Sequence, residues 1–238
     1  MKSVILTAGT YAEVYLAYLQ EAGVEVIGFL DDNPHSSIVR GKPVLGKISE
    51  LVQMKGRYGV EAVYCPLGNN ALRVKFLEQA RSQGYETPNF IHPTVNIAPN
   101  VTIAEQGVYI LQGTVIMPFA TIDKDVMISV NSIVCHHSHL SQGVFISSGV
   151  TFGANICAEK YAYCGMGCTL MTGFHTLGEN CLIGGGAVVI RDVEPNAVMA
   201  GVPAKVLKYK TLPNVIGGGK LELRSFVALK ERRLSYAA

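Results

Sequence analysis

Five consecutive residues, Cys-His-His-Ser-His at positions 135–139, form the densest cluster in the sequence of side chains that can transfer protons or bind metal ions. A neutral imidazole accepts a proton near neutral pH, so His136, His137 and His139 are each candidates for a general base. Three imidazoles so close together are also the kind of group that binds zinc. The cluster by itself does not decide between these two chemistries.

A second set of polar residues follows the predicted strands of the N-terminal part. The set consists of Gly9, Thr10 and Tyr11 after the first strand, Asp31 and Asp32 after the second, and Gly68 and Asn69 after the third. In a parallel sheet, ligands bind beyond the carboxyl ends of the strands, so these three ends should wall one pocket. Two carboxylates can accept hydrogen bonds from a ribose or a base, and a turn before a helix N-terminus suits a diphosphate. An ordinary turn is the alternative interpretation of positions 31–34.

The elements that position this pocket are short apolar runs that alternate with segments of helical periodicity. Buried strands are predicted at 3–8, 25–30 and 62–65, and helices at 11–22, at 48–55 and from the turn at 68–70 to about residue 83. A short strand is expected before Pro88. This alternation predicts right-handed βαβ crossovers and a small parallel sheet, that is, a Rossmann-like α/β fold.

The second half of the sequence repeats every six residues. Large apolar side chains fall at this spacing without a break over residues 110–170, and small or medium side chains follow each of them four positions later. Neither a helix, with a period of about 3.6, nor a strand, with a period of about two, explains a strict period of six. The repeat predicts a triangular coil of three hexapeptides per turn, with Val134, Phe152 and Leu170 above one another in its interior.

The composition excludes several classes of function. The 238 residues carry a net charge of only +2 with no block of like charge, which argues against binding to nucleic acid or to an anionic membrane. No apolar run approaches the length of a transmembrane helix, and the N-terminal run is too short for a secretory signal. We therefore expect a cytoplasmic protein whose six cysteines are reduced thiols.

Residues 91–208 resemble the left-handed parallel β-helix of the hexapeptide-repeat acyltransferases. The most specific match, at 183–206, is similar to the closing coil of that family and contains its Gly-x-Pro-Ala-Lys signature. Four N-terminal motifs extend the resemblance: Thr-Ala-Gly-Thr-Tyr-Ala at 7–12, Gly-Phe-Leu-Asp-Asp-Asn-Pro at 28–34, Val-Leu-Gly at 44–46 and Leu-Gly-Asn-Asn at 67–70. Together they are similar to the two-domain bacterial sugar acetyltransferases, which include nucleotide-4-amino-sugar N-acetyltransferases and sialic acid O-acetyltransferases.

This resemblance implies an organisation for the whole chain. Residues 1–90 would be an α/β domain that binds a nucleotide sugar, 91–208 a left-handed β-helix acyltransferase domain, and 209–238 a tail in which 220–234 could form a short amphipathic helix. The resemblance also implies a homotrimer, with active sites in the clefts between adjacent subunits. Acetyl-CoA would be the cosubstrate.

The resemblance also implies roles for individual residues. His136 corresponds to the general base of the family, and His137 stands where the family often has an aspartate or glutamate that holds the base. Coenzyme A would lie along Gly149, Ala154, Met166 and Gly185, with Lys205 near one of its phosphates. The N-terminal turn of the family usually ends in Gly-Gly-His, whereas this chain has Gly9, Thr10 and Tyr11 there.

Two features that suggest metal chemistry are better explained without a metal. The γ-class carbonic anhydrases hold zinc between β-helix subunits, but their ligands resemble one histidine, a long gap and a pair five residues apart. The cluster at 136–139 followed by a lone His175 does not reproduce that pattern. Cys164 and Cys168 fall on the two interior positions of the repeat, so we expect them to be core residues.

The implied function is acetyl transfer from acetyl-CoA to the amine of a nucleotide-linked amino sugar, for bacterial glycan or polysaccharide biosynthesis. One alternative is O-acetylation of a sugar or of sialic acid, which the same base could assist. An alternative of another class is a non-catalytic β-helix that acts as a scaffold or senses a nucleotide sugar.

Overall fold

The computed structural model of the protein describes residues 1–211, so the helix expected at 220–234 lies outside the described residues. The N-terminal sheet has the strand order β3-β4-β2-β1-β5. Its strands are β1 (Lys2–Leu6), β2 (Glu25–Leu30), β3 (Ile38–Val39), β4 (Lys42–Gly46) and β5 (Val60–Tyr64). The helices are α1 (Thr10–Glu21), α2 (Leu51–Tyr58), which follows a 3-10 turn at Ile48–Glu50, and α3 (Asn70–Ser82).

The parallel sheet confirms the predicted α/β architecture, because β1, β2, β4 and β5 all pair in parallel. The antiparallel hairpin of β3 and β4 was not predicted. Its two turn residues, Arg40 and Gly41, have φ of 47° and 76°. Such turns usually carry Asn-Gly or Asp-Gly, so an arginine at the first position gave no hairpin signal. The residues before Pro88 form only an isolated bridge, between Ala62 and Glu86.

From Phe90 onwards the chain winds through two-residue strands that stack into three parallel sheets, here called the first, second and third faces, and form the predicted left-handed β-helix. The first face contains β6 (Phe90–Ile91), β9 (Tyr109–Ile110), β12 (Met127–Ile128), β15 (Phe145–Ile146), β18 (Tyr163–Cys164), β21 (Leu182–Ile183), β23 (Ala197–Ala200) and the antiparallel β24 (Lys205–Tyr209). The second contains β7 (Asn96–Ile97), β10 (Val115–Ile116), β13 (Ile133–Val134), β16 (Thr151–Phe152), β19 (Thr169–Leu170) and β22 (Val188–Val189). The third contains β8 (Thr102–Ile103), β11 (Thr121–Ile122), β14 (His139–Leu140), β17 (Cys157–Ala158) and β20 (Thr176–Leu177).

The interior of the β-helix follows the six-residue period. Val134 pairs with Phe152, and Phe152 pairs with Leu170, so the three lie in one column as predicted, and all are buried. Ile97 departs from the expected burial, since its side chain is 41% exposed. It lies in the first coil, where its strand pairs on one side only, so no further coil covers it.

Each corner of the triangle is turned by a residue with positive φ in successive coils. Corner 1, between the first and second faces, has Gly113, Asn131, Gly149, Gly167 and Gly186. Corner 2, between the second and third faces, has Asn100, Phe119, His137, Asn155 and Gly173. Corner 3, between the third and first faces, has Gly107, Asp125, Gly143, Tyr161, Asn180 and Asn196. Glycine, asparagine, aspartate and histidine are the residues enriched in this conformation, so Phe119 and Tyr161 are the exceptions.

The N-terminal part packs on the first face of the β-helix. The outward side chains of Phe90, Tyr109, Met127 and Phe145 are buried in one cluster with Tyr15 of α1. The ring of Tyr15 lies 5.5 Å from that of Tyr109 and 6.3 Å from that of Phe90. The strand ends of the parallel sheet are thereby held next to the coils of the β-helix.

Candidate active site

The histidine cluster lies at corner 2 of the β-helix. His136 is half-buried and His137 is exposed, and the Nδ1 atoms of the two rings are 3.0 Å apart. The ring of His137 also packs on that of Phe119, one coil earlier, at 4.8 Å between centroids. The backbone at His137 has a φ of 57°, which turns the chain so that its side chain meets both neighbours.

This contact couples the tautomers of the two imidazoles. A hydrogen bond between two Nδ1 atoms needs one donor and one acceptor, so only one of the rings can carry its proton on Nδ1. If His136 donates from Nδ1, its Nε2 has a free lone pair and can accept a proton from a substrate. His137 then accepts on Nδ1 and carries its own proton on Nε2. A histidine thus occupies the position at which the family that the sequence resembles often has an aspartate or glutamate.

The third histidine of the cluster, His139, pairs with a carboxylate. Asp123 Oδ2 lies 3.0 Å from His139 Nε2, on the third face. No local sequence pattern points to Asp123, because the two residues are 16 positions apart and only coil stacking joins them. No group of three or more histidine, cysteine or acidic side chains in residues 1–211 is arranged to hold a metal ion.

The expected coenzyme A residues are divided between two corners of the chain. Gly149, Met166 and Gly185 lie at corner 1, where Gly149 needs its φ of 69° and a Cβ at Gly185 would lie 3.2 Å from the carbonyl oxygen of Met166. Met166 itself is 68% exposed. Ala154 lies at corner 2 and is buried one coil above His136. The backbone amide of Asn155 donates a hydrogen bond to the carbonyl of His136 at 3.1 Å. A single chain does not bring these four residues into one row.

Lys205, the fifth of these residues, is exposed at the start of β24. It lines a cleft of about 200 Å³ together with Arg191, Asp192 and Glu194. Two cations and two carboxylates therefore share this small cleft.

Asp31 and Asp32 connect neighbouring loops of the α/β part. Asp31 accepts hydrogen bonds from the backbone amides of Ala8 and Asn33, both at 2.7 Å. Asp32 is exposed and accepts one hydrogen bond from the amide of Ile48 at 3.0 Å. Asp31 thus ties the first strand end to the second, which agrees with the alternative interpretation as a structural turn. The second carboxylate oxygen of Asp32 has no partner among the described residues.

The other two strand ends differ in how their residues are used. Gly9 is the N-cap of α1 with φ of −78°, and a Cβ there or at Gly68 would meet no atom within 4 Å. Neither conformation nor packing therefore requires glycine at these two positions, and both leave open space. The exposed Thr10 begins α1. Asn69 is the N-cap of α3, where its side chain accepts a hydrogen bond from the amide of Leu72 at 3.1 Å.

A cleft of about 340 Å³, here called the junction cleft, opens where the α/β part meets corner 1 of the β-helix. Its wall contains Tyr11, Gly68, Ser129, Phe145, Tyr163 and Met166. The rings of Phe145 and Tyr163 stack at 5.0 Å with an interplanar angle of 2°. Two of the predicted substrate residues and one predicted coenzyme A residue thus line the same cleft.

Tyr11 points towards the β-helix. Its hydroxyl lies 2.8 Å from Ser129 Oγ, and burial raises the pKa of Tyr11, so the phenol stays neutral. In the sequence, Tyr11 is recognisable only as part of the turn after the first strand, and nothing there points to Ser129. The contact with Ser129 spans 118 positions and depends on the packing of the two parts.

The two cysteines at the interior positions of the repeat are core residues, as predicted. Cys164 and Cys168 are both fully buried in the interior of the β-helix. A hydrogen bond with Cys168, together with burial, raises the pKa of the Cys164 thiol well above its usual value. All six cysteines are free.

The N-terminal part matches a known family model. Residues 2–80 match the PglD N-terminal domain. The first strand of the β-helix, β6, begins at Phe90, ten residues after the matched segment.

Solved structures cover a larger share of the chain. A variant of GDP-perosamine N-acetyl transferase from Caulobacter crescentus, in complex with CoA and GDP-perosamine, superposes with a TM-score of 0.81 at 28% identity. The match covers 87% of this chain and 96% of that one. The acetyltransferase domain of PglB from Neisseria gonorrhoeae superposes with a TM-score of 0.77 at 27% identity over 87% and 99% of the two chains. The chain is thus similar over 87% of its length to two solved acetyltransferases.

Among curated proteins, the chain matches galactoside O-acetyltransferase of Escherichia coli at 32% identity over 87 residues, which are 37% of this chain and 39% of that protein. The matches span about two fifths of the length of the first curated relatives. None of the helices in residues 1–211 is long and apolar enough to cross a membrane.

Proposed function

We propose that the protein transfers an acetyl group from acetyl-CoA to the amine of a nucleotide-linked amino sugar. The observation that carries this proposal is the similarity over 87% of the chain to an N-acetyl transferase solved with both CoA and GDP-perosamine. Acetyl-CoA and nucleotide sugars are cytoplasmic metabolites, so we place the reaction in the cytoplasm. The product would enter glycan or polysaccharide synthesis.

In the proposed reaction, the amine nitrogen attacks the thioester carbonyl, and the new C–N bond replaces the C–S bond. The amine proton passes to Nε2 of His136, and the coenzyme A thiolate leaves and takes up that proton, which regenerates the neutral base. His137 holds the ring of His136 by accepting a hydrogen bond from its Nδ1–H group, with 3.0 Å between the two Nδ1 atoms. Backbone amides of the corner stabilise the oxyanion of the tetrahedral intermediate. Both histidines keep their predicted roles in this proposal.

The division of the site between two corners supports a homotrimer. His136 and Ala154 lie at corner 2, whereas Gly149, Met166 and Gly185 lie at corner 1. A complete site forms when corner 2 of one subunit faces corner 1 of the next, and three such contacts close a ring. Apolar side chains around the second face remain exposed in the single chain and would be covered in this assembly: Phe119, Ile133, Met166, Met171 and Ile190.

We expect light scattering to give a mass three times that of the 25.6 kDa chain at micromolar concentration. Ile133 is 38% exposed on the second face. Ile133→Glu should shift the mass towards the monomer and abolish activity, because a carboxylate in this interface would lose its water. Thr121→Glu, on the outer surface of the third face, is the matched control and should leave the trimer intact. A monomeric wild-type protein with full activity would contradict the shared site.

The strand ends of the α/β part are proposed to bind the nucleotide. Gly9 and Gly68 leave open space, and the first amides of α1 can bind a diphosphate at Thr10. The free oxygen of Asp32 can accept hydrogen bonds from a ribose or a base. Asp31 shapes this pocket by accepting hydrogen bonds from the amides of Ala8 and Asn33. Asn69 orders the loop between β5 and α3 by capping the helix. The sugar extends along Tyr11 in the junction cleft.

Asp32→Ala is expected to raise the KM for the sugar nucleotide about tenfold, the effect of losing a hydrogen bond or two to a charged group. The KM for acetyl-CoA and kcat should change little, because a contact far from the thioester acts equally in ground and transition states. Asp32→Asn is the control, because it keeps an acceptor for the amide of Ile48. If Asp32→Ala keeps the wild-type KM in steady-state kinetics, the nucleotide does not bind at this strand end.

A second candidate function is sugar O-acetylation. It is favoured by the similarity to galactoside O-acetyltransferase over part of the chain. Comparing GDP-perosamine with free galactosides as acceptors separates the two functions. Acetylation of free sugars as fast as of the nucleotide conjugate would favour O-acetylation. No thioester turnover with any acceptor would favour a scaffold or sensor.

A further inference from the structure

Helix α3 is joined to corner 3 of the β-helix by two side chains of its first turn. Asn70 Nδ2 donates to the carbonyl of Tyr161 at 2.9 Å. Arg73 donates from Nε to the carbonyl of Asp125 at 3.1 Å and from Nη2 to that of Gly143 at 2.8 Å. These three carbonyls belong to the positive-φ residues of successive coils. Two side chains thus bind the same corner position on three coils.

Arg73 also binds the loop that precedes its own helix. Its Nη1 donates to the carbonyl of Leu67 at 2.7 Å and to Asn70 Oδ1 at 3.0 Å. With a longer contact from Nη2 to Val144, all five N–H groups of the guanidinium have acceptors. Leu67 immediately precedes Gly68, which lines the junction cleft. The guanidinium of Arg73 therefore connects the loop after β5 to the β-helix.

The environment of Arg73 is costly for a cation. The residue is fully buried, and none of its acceptors is a carboxylate oxygen. Burial lowers the pKa of its guanidinium. An apolar side chain of similar size would fill this space at lower cost in desolvation, so packing alone does not explain an arginine here. The rigid fork, which can bind two separate segments at once, does explain it.

We propose that Arg73 is a positioning residue for the acceptor substrate. It holds the loop at 67–69 at a fixed place on the β-helix, so that the sugar nucleotide is presented to the acetyl group in one geometry. It contacts neither substrate and acts through the loop. The inference rests on the proposed transfer to a nucleotide-linked sugar, in which small displacements of a bound substrate have large effects.

The chain offers a matched control on the same helix. Arg81 forms two hydrogen bonds of 2.8 Å with the carboxylate of Asp125, also at corner 3. It makes no hydrogen bond with the loop at 67–69. A substitution at Arg81 therefore weakens the docking of α3 without releasing the loop, which separates positioning from a purely structural role.

The experiment compares Arg73→Lys with Arg81→Lys in steady-state kinetics, with GDP-perosamine as acceptor, and in thermal unfolding. Lysine keeps the charge but cannot bind both segments. We expect Arg73→Lys to raise the KM for GDP-perosamine about tenfold or more, with the KM for acetyl-CoA within about twofold of wild type. Arg81→Lys should lower the melting temperature and leave both KM values within about twofold.

The outcomes distinguish the inference from the function on which it rests. If the wild-type protein turns over and the KM of Arg73→Lys for the acceptor is unchanged, only the positioning role is overturned. No wild-type turnover with GDP-perosamine or any other nucleotide amino sugar overturns the proposed function and the inference with it. If Arg73→Lys does not fold, Asn70→Ala replaces it, since it removes the acceptor that holds Nη1 of Arg73 beside the carbonyl of Leu67. An acceptor KM in Asn70→Ala equal to that of wild type also contradicts the proposal.

Discussion

Replacing His136 by alanine is expected to lower kcat for acetyl transfer by about two to four powers of ten, the usual contribution of a positioned general base. The affinity for coenzyme A should be nearly unchanged, because the imidazole acts on the amine proton and not on the cofactor. The geometry supports this assignment, since the Nδ1 contact with His137 at 3.0 Å can leave Nε2 of His136 free. Single-turnover kinetics, with enzyme and acetyl-CoA both in excess over the acceptor, would measure the effect on the chemical step.

Two neighbouring histidines serve as controls for this experiment. His137→Ala should cost less than His136→Ala, because His137 only orients the other ring. His139 pairs with Asp123 at 3.0 Å on the third face, so His139→Ala should have a small effect. If His139→Ala abolishes turnover while His136→Ala retains it, the base is the histidine that has the carboxylate partner.

Replacing Phe152 by alanine is expected to lower the free energy of unfolding by about 3–5 kcal/mol, the usual cost of truncating a buried aromatic residue. Phe152 is fully buried, and its strand pairs with Val134 on one side and Leu170 on the other. The cavity would lie inside a stack in which each coil supports the next, so it cannot collapse easily. Denaturant unfolding at fixed protein concentration would measure the loss.

The exposed neighbour in the same strand gives the control for this substitution. Thr151 is exposed on the outer side of β16, so Thr151→Ala should change the unfolding free energy by less than about 0.5 kcal/mol. Phe152→Leu should lie between the two, because it leaves a smaller cavity. A Phe152→Ala variant as stable as Thr151→Ala would contradict the central place of Phe152 in the interior.

The sequence by itself determined the interior of the β-helix. Each coil has one position for a large side chain and one for a small side chain on every face, so the requirement recurs every six residues and is visible as a period. The column of Val134, Phe152 and Leu170 follows from that period alone. The parallel sheet was predicted for a similar reason, because each strand and helix has its own local pattern of apolar residues. The hairpin at Arg40 was missed because its turn carries an atypical residue.

Only the tertiary structure decided which polar side chains meet. His136 contacts His137, and Asp123 contacts His139, because corner geometry and coil stacking set these pairs. The family resemblance placed the coenzyme A residues along a cleft between neighbouring β-helices, and the tertiary structure places them at two corners of one chain. The contacts of Arg73 with the β-helix span up to 71 positions and show no periodicity. Such contacts are formed when the two parts pack, so no local pattern along the chain contains them.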